Sequence, residues 1–224
     1  MNYHFWEETM RLFLIRHGRQ DSTLCNVDVS LSEEGRKQAE LLGRRLVQYS
    51  IDAIYTSDLH RALETGQILK DILEENTFRQ YCLNVRKDIR EIDYGELEGI
   101  ENQEVKLRYA EFFQERDRWE EDLPYPGGEC GKEVYVRACR VVEELLQTEY
   151  KQVALVMHGG TIRSLVAGVI GLDQAKKLVF GKTLENTSIT EIKYDPLHQR
   201  FTLERFNDFA HLEGRPDLLR DNWR

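Results

Sequence analysis

Arg11-Leu12-Phe13-Leu14-Ile15-Arg16-His17-Gly18 decides how the rest of the chain is read. Leu12–Ile15 is an apolar run too short for a helix, and it suits a strand buried on both faces. It stops abruptly at Arg16, His17 and Gly18, where the glycine permits an immediate turn through backbone angles that other residues avoid. Open α/β sheets place their ligands at the carboxyl ends of their strands, so Arg16 and His17 are candidate site residues. An arginine presents a planar fork of donors to phosphate, and a histidine is a nucleophile or proton carrier near neutral pH.

Outward from this stretch, Ser32 with Glu33 and Glu34 predicts a helix start, and Ala39, Leu42 and Leu46 extend one apolar face to about residue 49. Residues 51–55 read as the next buried strand. Thr56-Ser57-Asp58 opens a second helix with Arg61 in its first turn, at the same sheet edge as Arg16 and His17 if the strands are parallel. A weak strand follows near 82–87. From Ile89 to Gly131 the pattern changes to a turn-rich acidic loop. A helical stretch over 101–121 comes next, striped by Val105, Tyr109, Phe112 and Trp119, and then a Pro/Gly-rich close. That segment reads as an insertion over the sheet edge, with residues 91–125 as a helical cap and the aromatic stripe as packing.

A long helix to about residue 149 leads into Val153–Met157, which ends in His158-Gly159-Gly160 and repeats the opening pattern of apolar strand, histidine, glycine. Residues 188–194 and 200–206 read as a hairpin around Asp195-Pro196. The alternation predicts an α/β three-layer sandwich with a mostly parallel central sheet and helices on both faces. At 224 residues it forms a single domain over 1–224, with residues 1–9 a possible N-terminal extension before Met10.

The net charge of −9 argues against nucleic acid or an anionic membrane as the partner. Cys25, Cys82, Cys130 and Cys139 form no CxxC pair and no zinc-like spacing. With no secretory signal in the first ten residues they read as reduced thiols of a cytoplasmic protein. No apolar stretch is long enough to span a bilayer. The oligomeric state is left open.

Two histidines at two strand ends, with arginines beside them, suit phosphoryl chemistry. Arg16 and Arg61 would hold the phosphoryl oxygens, and neutral His17 would attack phosphorus. His158 would donate to the oxygens, helped by backbone N–H groups at the start of the following helix, Gly159 first. The leaving alcohol needs a proton, for which Glu91 is the leading candidate and Glu98 and Asp93 are rivals.

These motifs resemble the histidine phosphatase superfamily, the phosphoglycerate-mutase-like fold, over about residues 11–212. Leu14-Ile15-Arg16-His17-Gly18 looks like its signature. The segment around Thr56-Ser57-Asp58-Leu59 with Arg61-Ala62 looks like its arginine-bearing helix. Arg90-Glu91-Ile92 with Tyr94-Gly95 resembles the loop that holds its acid. Gly127-Gly128-Glu129, His158-Gly159-Gly160 and the closing Asn207-Asp208 with His211-Leu212 fit as well.

The resemblance implies that His17 is phosphorylated, that Arg16, Arg61 and His158 bind the phosphoryl group, that Glu91 is the acid/base, and that neither a metal nor an organic cofactor takes part. The late motifs look more like the alpha-ribazole phosphatase and broad-specificity phosphatase branch. That implies a phosphomonoesterase acting on a small phosphorylated metabolite. The alternatives are a cofactor-dependent phosphoglycerate mutase and a catalytically weak phospho-ligand binding or regulatory module. The chain departs from the pattern at Arg19-Gln20-Asp21-Ser22, where the family commonly has Glu-Thr or Glu-Ser and then a phosphate-contacting asparagine. Asn26 or Ser22 would take that asparagine's place, and Arg19 would contact substrate or face solvent.

Overall fold

Leu12, Phe13, Leu14 and Ile15 are fully buried in the computed structural model, which describes residues 9–220. They belong to β1 (Met10–Arg16), a central strand. With β2 (Ala53–Thr56), β3 (Leu83–Val85), β4 (Gln152–Met157), β5 (Ile189–Asp195) and β6 (Arg200–Asp208) it forms one sheet of order β3-β2-β4-β1-β5-β6. Strands β1 to β4 run parallel, and β5 is antiparallel to both β1 and β6. The possible extension before Met10 lies almost wholly outside the described residues.

Alternate residues of the central strands feed opposite cores, as a pleated strand with two covered faces requires. Leu12, Leu14, Val153 and Leu155 pack with Val141 and Leu145 of α5 (Gly131–Leu145) and with Ile162 of α6 (Gly159–Val169). Phe13, Ile15, Ala154 and Val156 pack with Leu42 of α1 (Glu33–Leu46) and Leu69 of α2 (His60–Thr77). The layered sandwich read from the sequence is therefore present, with helices on both faces. Among the described residues no helix is long and apolar enough to cross a membrane.

Local chemistry sets several boundaries. Ser32 caps α1 as expected, its Oγ accepting from Gly35 N at 3.2 Å. Helix α2 begins later than Thr56-Ser57-Asp58 suggested. Ser57 Oγ accepts instead from Leu59 N, and the capping carboxylate for His60 N comes from Asp28, 2.7 Å away. The expected helix over 101–121 is two short ones, α3 (Asn102–Arg108) and α4 (Ala110–Arg116), broken at Tyr109. The break lets Val105, Phe112 and Phe113 share a small third cluster with Ile92, Leu97 and Tyr125. Trp119 lies beyond α4 with a left-handed backbone (φ 60°), so the stripe stops short of it. Helix α5 ends at Leu145, earlier than residue 149.

Gly18 does not need an unusual dihedral, since its φ is not positive. It needs space, because a Cβ there would sit 2.6 Å from the carbonyl oxygen of Gly35. The strand end and the start of α1 thus touch backbone to backbone.

The closing segment is pinned by His211. Arg45 Nη1 donates to its Nδ1 at 3.3 Å, so Nε2 carries the proton and donates to Thr187 Oγ1 at 3.0 Å. Burial, with the Arg45 charge beside it, pushes the His211 imidazole down to about 4. The unfolded chain therefore takes up a proton there below 6.5 that the folded chain refuses until about 4. Stability from this group is present above 6.5 and is lost as pH falls towards 4. Urea unfolding of His211→Asn should show a shallower loss of stability across that window than the parent chain.

Candidate active site

Backbone pairing brings the two histidines together. Arg16 lies opposite Met157 in the β1–β4 register, and His17 N donates to Met157 O at 2.9 Å. The imidazoles of His17 and His158 come to 5.0 Å between centroids. Each stands one residue beyond its strand; His17 lines a cavity of about 940 Å³, and His158 packs against His17 without lining that cavity itself.

Hydrogen bonds fix the protonation of His17. Its Nδ1 lies 2.7 Å from Gly18 O, which can only accept, so Nδ1 carries the proton. Nε2 then holds the lone pair and accepts from Arg61 Nε at 3.3 Å. Burial first, then the charges of Arg61 and Arg16, push the imidazole well below its ordinary pKa and keep it neutral. His158 is fully buried and is held well below its usual value by burial, Arg61 and His17. Neither of its ring nitrogens has a protein partner, and nor does buried Arg16 Nε. Buried polar groups of this kind, on Arg16 in the cavity wall and on His158 behind His17, point to a polar ligand.

Arg61 is only 1% exposed. Its other nitrogens donate to Val27 O (2.9 Å) and Asn26 Oδ1 (2.7 Å). Arg16 donates through Nη1 to Leu184 O. Burial, with Arg220 next, lowers the Arg16 guanidinium's pKa.

Glu91 reaches the start of α6, where Oε1 accepts from Thr161 N (3.2 Å) and Oε2 from Gly160 N (3.3 Å). The approach depends on Gly160, because a Cβ there would lie 2.5 Å from Glu91 Oε1. The helix amides that the sequence suggested for phosphate are thus held in part by this carboxylate. Gly159 lies beside Arg16, with its missing Cβ position 3.7 Å from Nε. Behind Glu91, Arg137 donates to the backbone carbonyls of Asp88, Arg90 and Glu91 and is itself gripped by both oxygens of Glu129. That clamp explains why Glu129 follows the Gly-Gly turn.

The divergent segment after Gly18 divides three ways. Asn26 faces the site, bonded to Arg61 and through Nδ2 to Glu98 Oε1 at 2.6 Å. Ser22 lines the cavity, and its Oγ accepts from Leu24 N. Arg19 also lines it, but its guanidinium donates to Leu218 O and Leu219 O. Cys25 is nearby, and burial together with Glu98 and Glu91 pushes its thiol up to about 11, far from a thiolate nucleophile.

Sequence reading missed Asn186, Tyr94 and Arg220, all of which line the cavity. Asn186 Nδ2 donates to His17 O at 3.0 Å, and Thr187 N donates to Arg16 O at 3.0 Å. The available signal was the polar run Glu185–Ser188 directly before a strand. An antiparallel neighbour of β1 must begin where β1 ends. Among the described residues no group of three or more His, Cys, Asp or Glu is placed to hold a metal.

Comparison with known proteins agrees with this geometry. The chain is 32% identical over 214 residues to phosphoserine phosphatase 1 of Hydrogenobacter thermophilus, covering 91% of this chain and 94% of that protein. It is also 32% identical over 173 residues to a 2,3-bisphosphoglycerate-dependent phosphoglycerate mutase of Allorhizobium ampelinum, covering 70% and 78%. A mycobacterial glucosyl-3-phosphoglycerate phosphatase solved with inorganic phosphate superposes with a TM-score of 0.76 at 29% identity, covering 90% of this chain and 99% of that one. The sequence profile of the histidine phosphatase superfamily (branch 1) matches residues 12–209. With its paired strand-end histidines and the arginines beside them, the chain belongs to the histidine phosphatase superfamily and is a phosphatase of that kind.

Proposed function

We propose that the enzyme hydrolyses the phosphate monoester of a small metabolite through a phosphohistidine at His17. The supporting observation is the fixed lone pair of His17 Nε2 in a cavity that Arg16, Arg61 and Glu91 also line, with His158 packed against the His17 ring. Arg16, Arg61 and His158 bind the phosphoryl oxygens, with the Gly159 backbone beside Arg16. They oppose the charge that grows on those oxygens in the transition state.

His17 Nε2 attacks phosphorus as the ester P–O bond breaks, and the leaving oxygen takes a proton from the carboxyl of Glu91. A water then gives its proton back to the Glu91 carboxylate and attacks phosphorus, which releases phosphate and restores His17. Asn26 orients Arg61, while Ser22 shapes the wall. Residues 91–125 act as the cap over this chemistry, and their third apolar cluster supports that role. The reaction needs neither metal nor cofactor. The free thiols of Cys25, Cys82, Cys130 and Cys139 suit a cytoplasmic enzyme.

The mutase relatives favour a second reading, in which the phosphoryl group returns to another hydroxyl of a bound acid. Free phosphate as the main product, formed without a bisphosphate primer, supports hydrolysis; isomerised ester as the main product supports the mutase.

Three substitutions test the mechanism. His17→Ala should lower hydrolysis of an aryl phosphate by at least about 10³-fold and abolish acid-labile labelling of the chain by substrate phosphate. Glu91→Gln should cost about 10²-fold or more on alkyl phosphates and far less on aryl phosphates with good leaving groups, measured as kcat/KM. Gly160→Ala, which drives a methyl group against Glu91, should reproduce that leaving-group dependence while leaving His17 able to accept phosphate.

A further inference from the structure

Thr187 sits in a left-handed backbone conformation (φ 57°), and of the described non-glycine residues with positive φ it alone is both β-branched and fully buried. Glycine or asparagine would take those angles far more readily, so the turn itself does not call for a threonine. What the threonine adds is a hydroxyl. Its Oγ1 donates to Asn186 O at 2.7 Å and accepts from His211 Nε2 at 3.0 Å. A strained backbone persists only where its surroundings hold it, and His211 supplies that hold.

The held backbone faces the nucleophile. Thr187 N donates to Arg16 O at 3.0 Å and lies 3.4 Å from His17 O, to which Asn186 Nδ2 donates at 3.0 Å. In return Arg16 N donates to Ser188 O at 3.1 Å. Residues 186–188 therefore grip both peptide units that flank the His17 Cα, and those units set the direction in which its side chain leaves the strand. On the far side, His211 Nδ1 accepts from Arg45 Nη1 at 3.3 Å, and Arg45 donates through both terminal nitrogens to Asp208. Arg205 Nη1 donates to the same carboxylate at 3.1 Å. The imidazole is thus fixed from α1 and β6 before it meets the hydroxyl.

We propose that Thr187 is a positioning residue for the nucleophile. The bond from His211 holds its strained peptide against the carbonyls of Arg16 and His17, and this aims His17 Nε2 at the phosphoryl group. The proposal rests on the phosphohistidine reading for the role of His17, and a measurement that needs no turnover separates the two.

Three replacements in the full chain separate hydroxyl, strain and volume. Thr187→Ser keeps the hydroxyl, Thr187→Val keeps the shape and the strain without it, and Thr187→Gly removes both hydroxyl and strain. A residue that merely filled space would rank valine above glycine, since glycine leaves a hole. Positioning ranks serine first, glycine next and valine last. On an aryl phosphate, kcat should stay within about threefold of the parent in Thr187→Ser, fall about tenfold in Thr187→Gly and fall about 10²-fold in Thr187→Val. Orthovanadate accepts a fifth ligand, as phosphorus does when Nε2 attacks, whereas inorganic phosphate stays tetrahedral. Calorimetric affinity for orthovanadate should fall in the same order as kcat, while that for phosphate moves less than about threefold. His211→Ala cuts the same bond from the other side. It should cost about tenfold in kcat in the parent and less than about twofold in Thr187→Gly, where no strain is left to hold.

Thermal melting identifies any variant that does not fold, and the His211→Ala comparison carries the test should Thr187→Val be one of them. Valine above glycine in kcat, equal loss of phosphate and vanadate binding, or an undiminished His211→Ala effect in Thr187→Gly overturns the proposal. Absence of turnover in the parent would overturn the hydrolytic reading alone, because vanadate reports the aim of Nε2 without it.

Discussion

The parallel pairing of β1 with β4 is the interaction on which the rest depends. Its register sets Arg16 beside Met157, and the bond from His17 N to Met157 O carries that alignment one residue past the sheet. A slip of one residue would turn every side chain of β1 to the opposite face, moving Leu12 and Leu14 out of their core. Because both faces are packed, the register is strongly fixed. The two imidazoles inherit their 5.0 Å spacing from it rather than from any bond between them.

Around that pair the site is assembled from supports that never touch the reacting atoms. Arg137, itself held by the Glu129 carboxylate, donates to the carbonyls of Asp88, Arg90 and Glu91, and Thr161 Oγ1 also donates to Arg90 O. Asn186 and Thr187 hold the backbone of Arg16 and His17. His211 in turn holds Thr187. Charged groups in such a site retain their strength because their partners are oriented before a ligand arrives.

What the sequence made legible follows the range of the signals. Strand ends, the Ser32 cap and the histidine–glycine turns are local, and each stands where short-range pattern placed it. Arg137 was not legible, because in the middle of α5 an arginine looks like any solvated residue until the loop at 88–91 is folded against it. Asn26 was ambiguous for a related reason. Its left-handed backbone (φ 46°) turns the side chain onto Arg61, and nothing in the surrounding residues announces that turn. The broken helix at Tyr109 shows aromatic packing overriding an apparently continuous period.

The bond between His17 Nδ1 and Gly18 O has a stereochemical consequence. Since the ring is anchored on that side and buried on the sheet side, an electrophile entering the cavity meets a single nitrogen. A covalent adduct would therefore be one positional isomer, with the substituent on Nε2 and the hydrogen retained on Nδ1. The ring need not rotate between forming and releasing such an adduct. The orientation of the histidine is thus a constant of the cycle, set by a peptide carbonyl that side-chain substitution cannot remove.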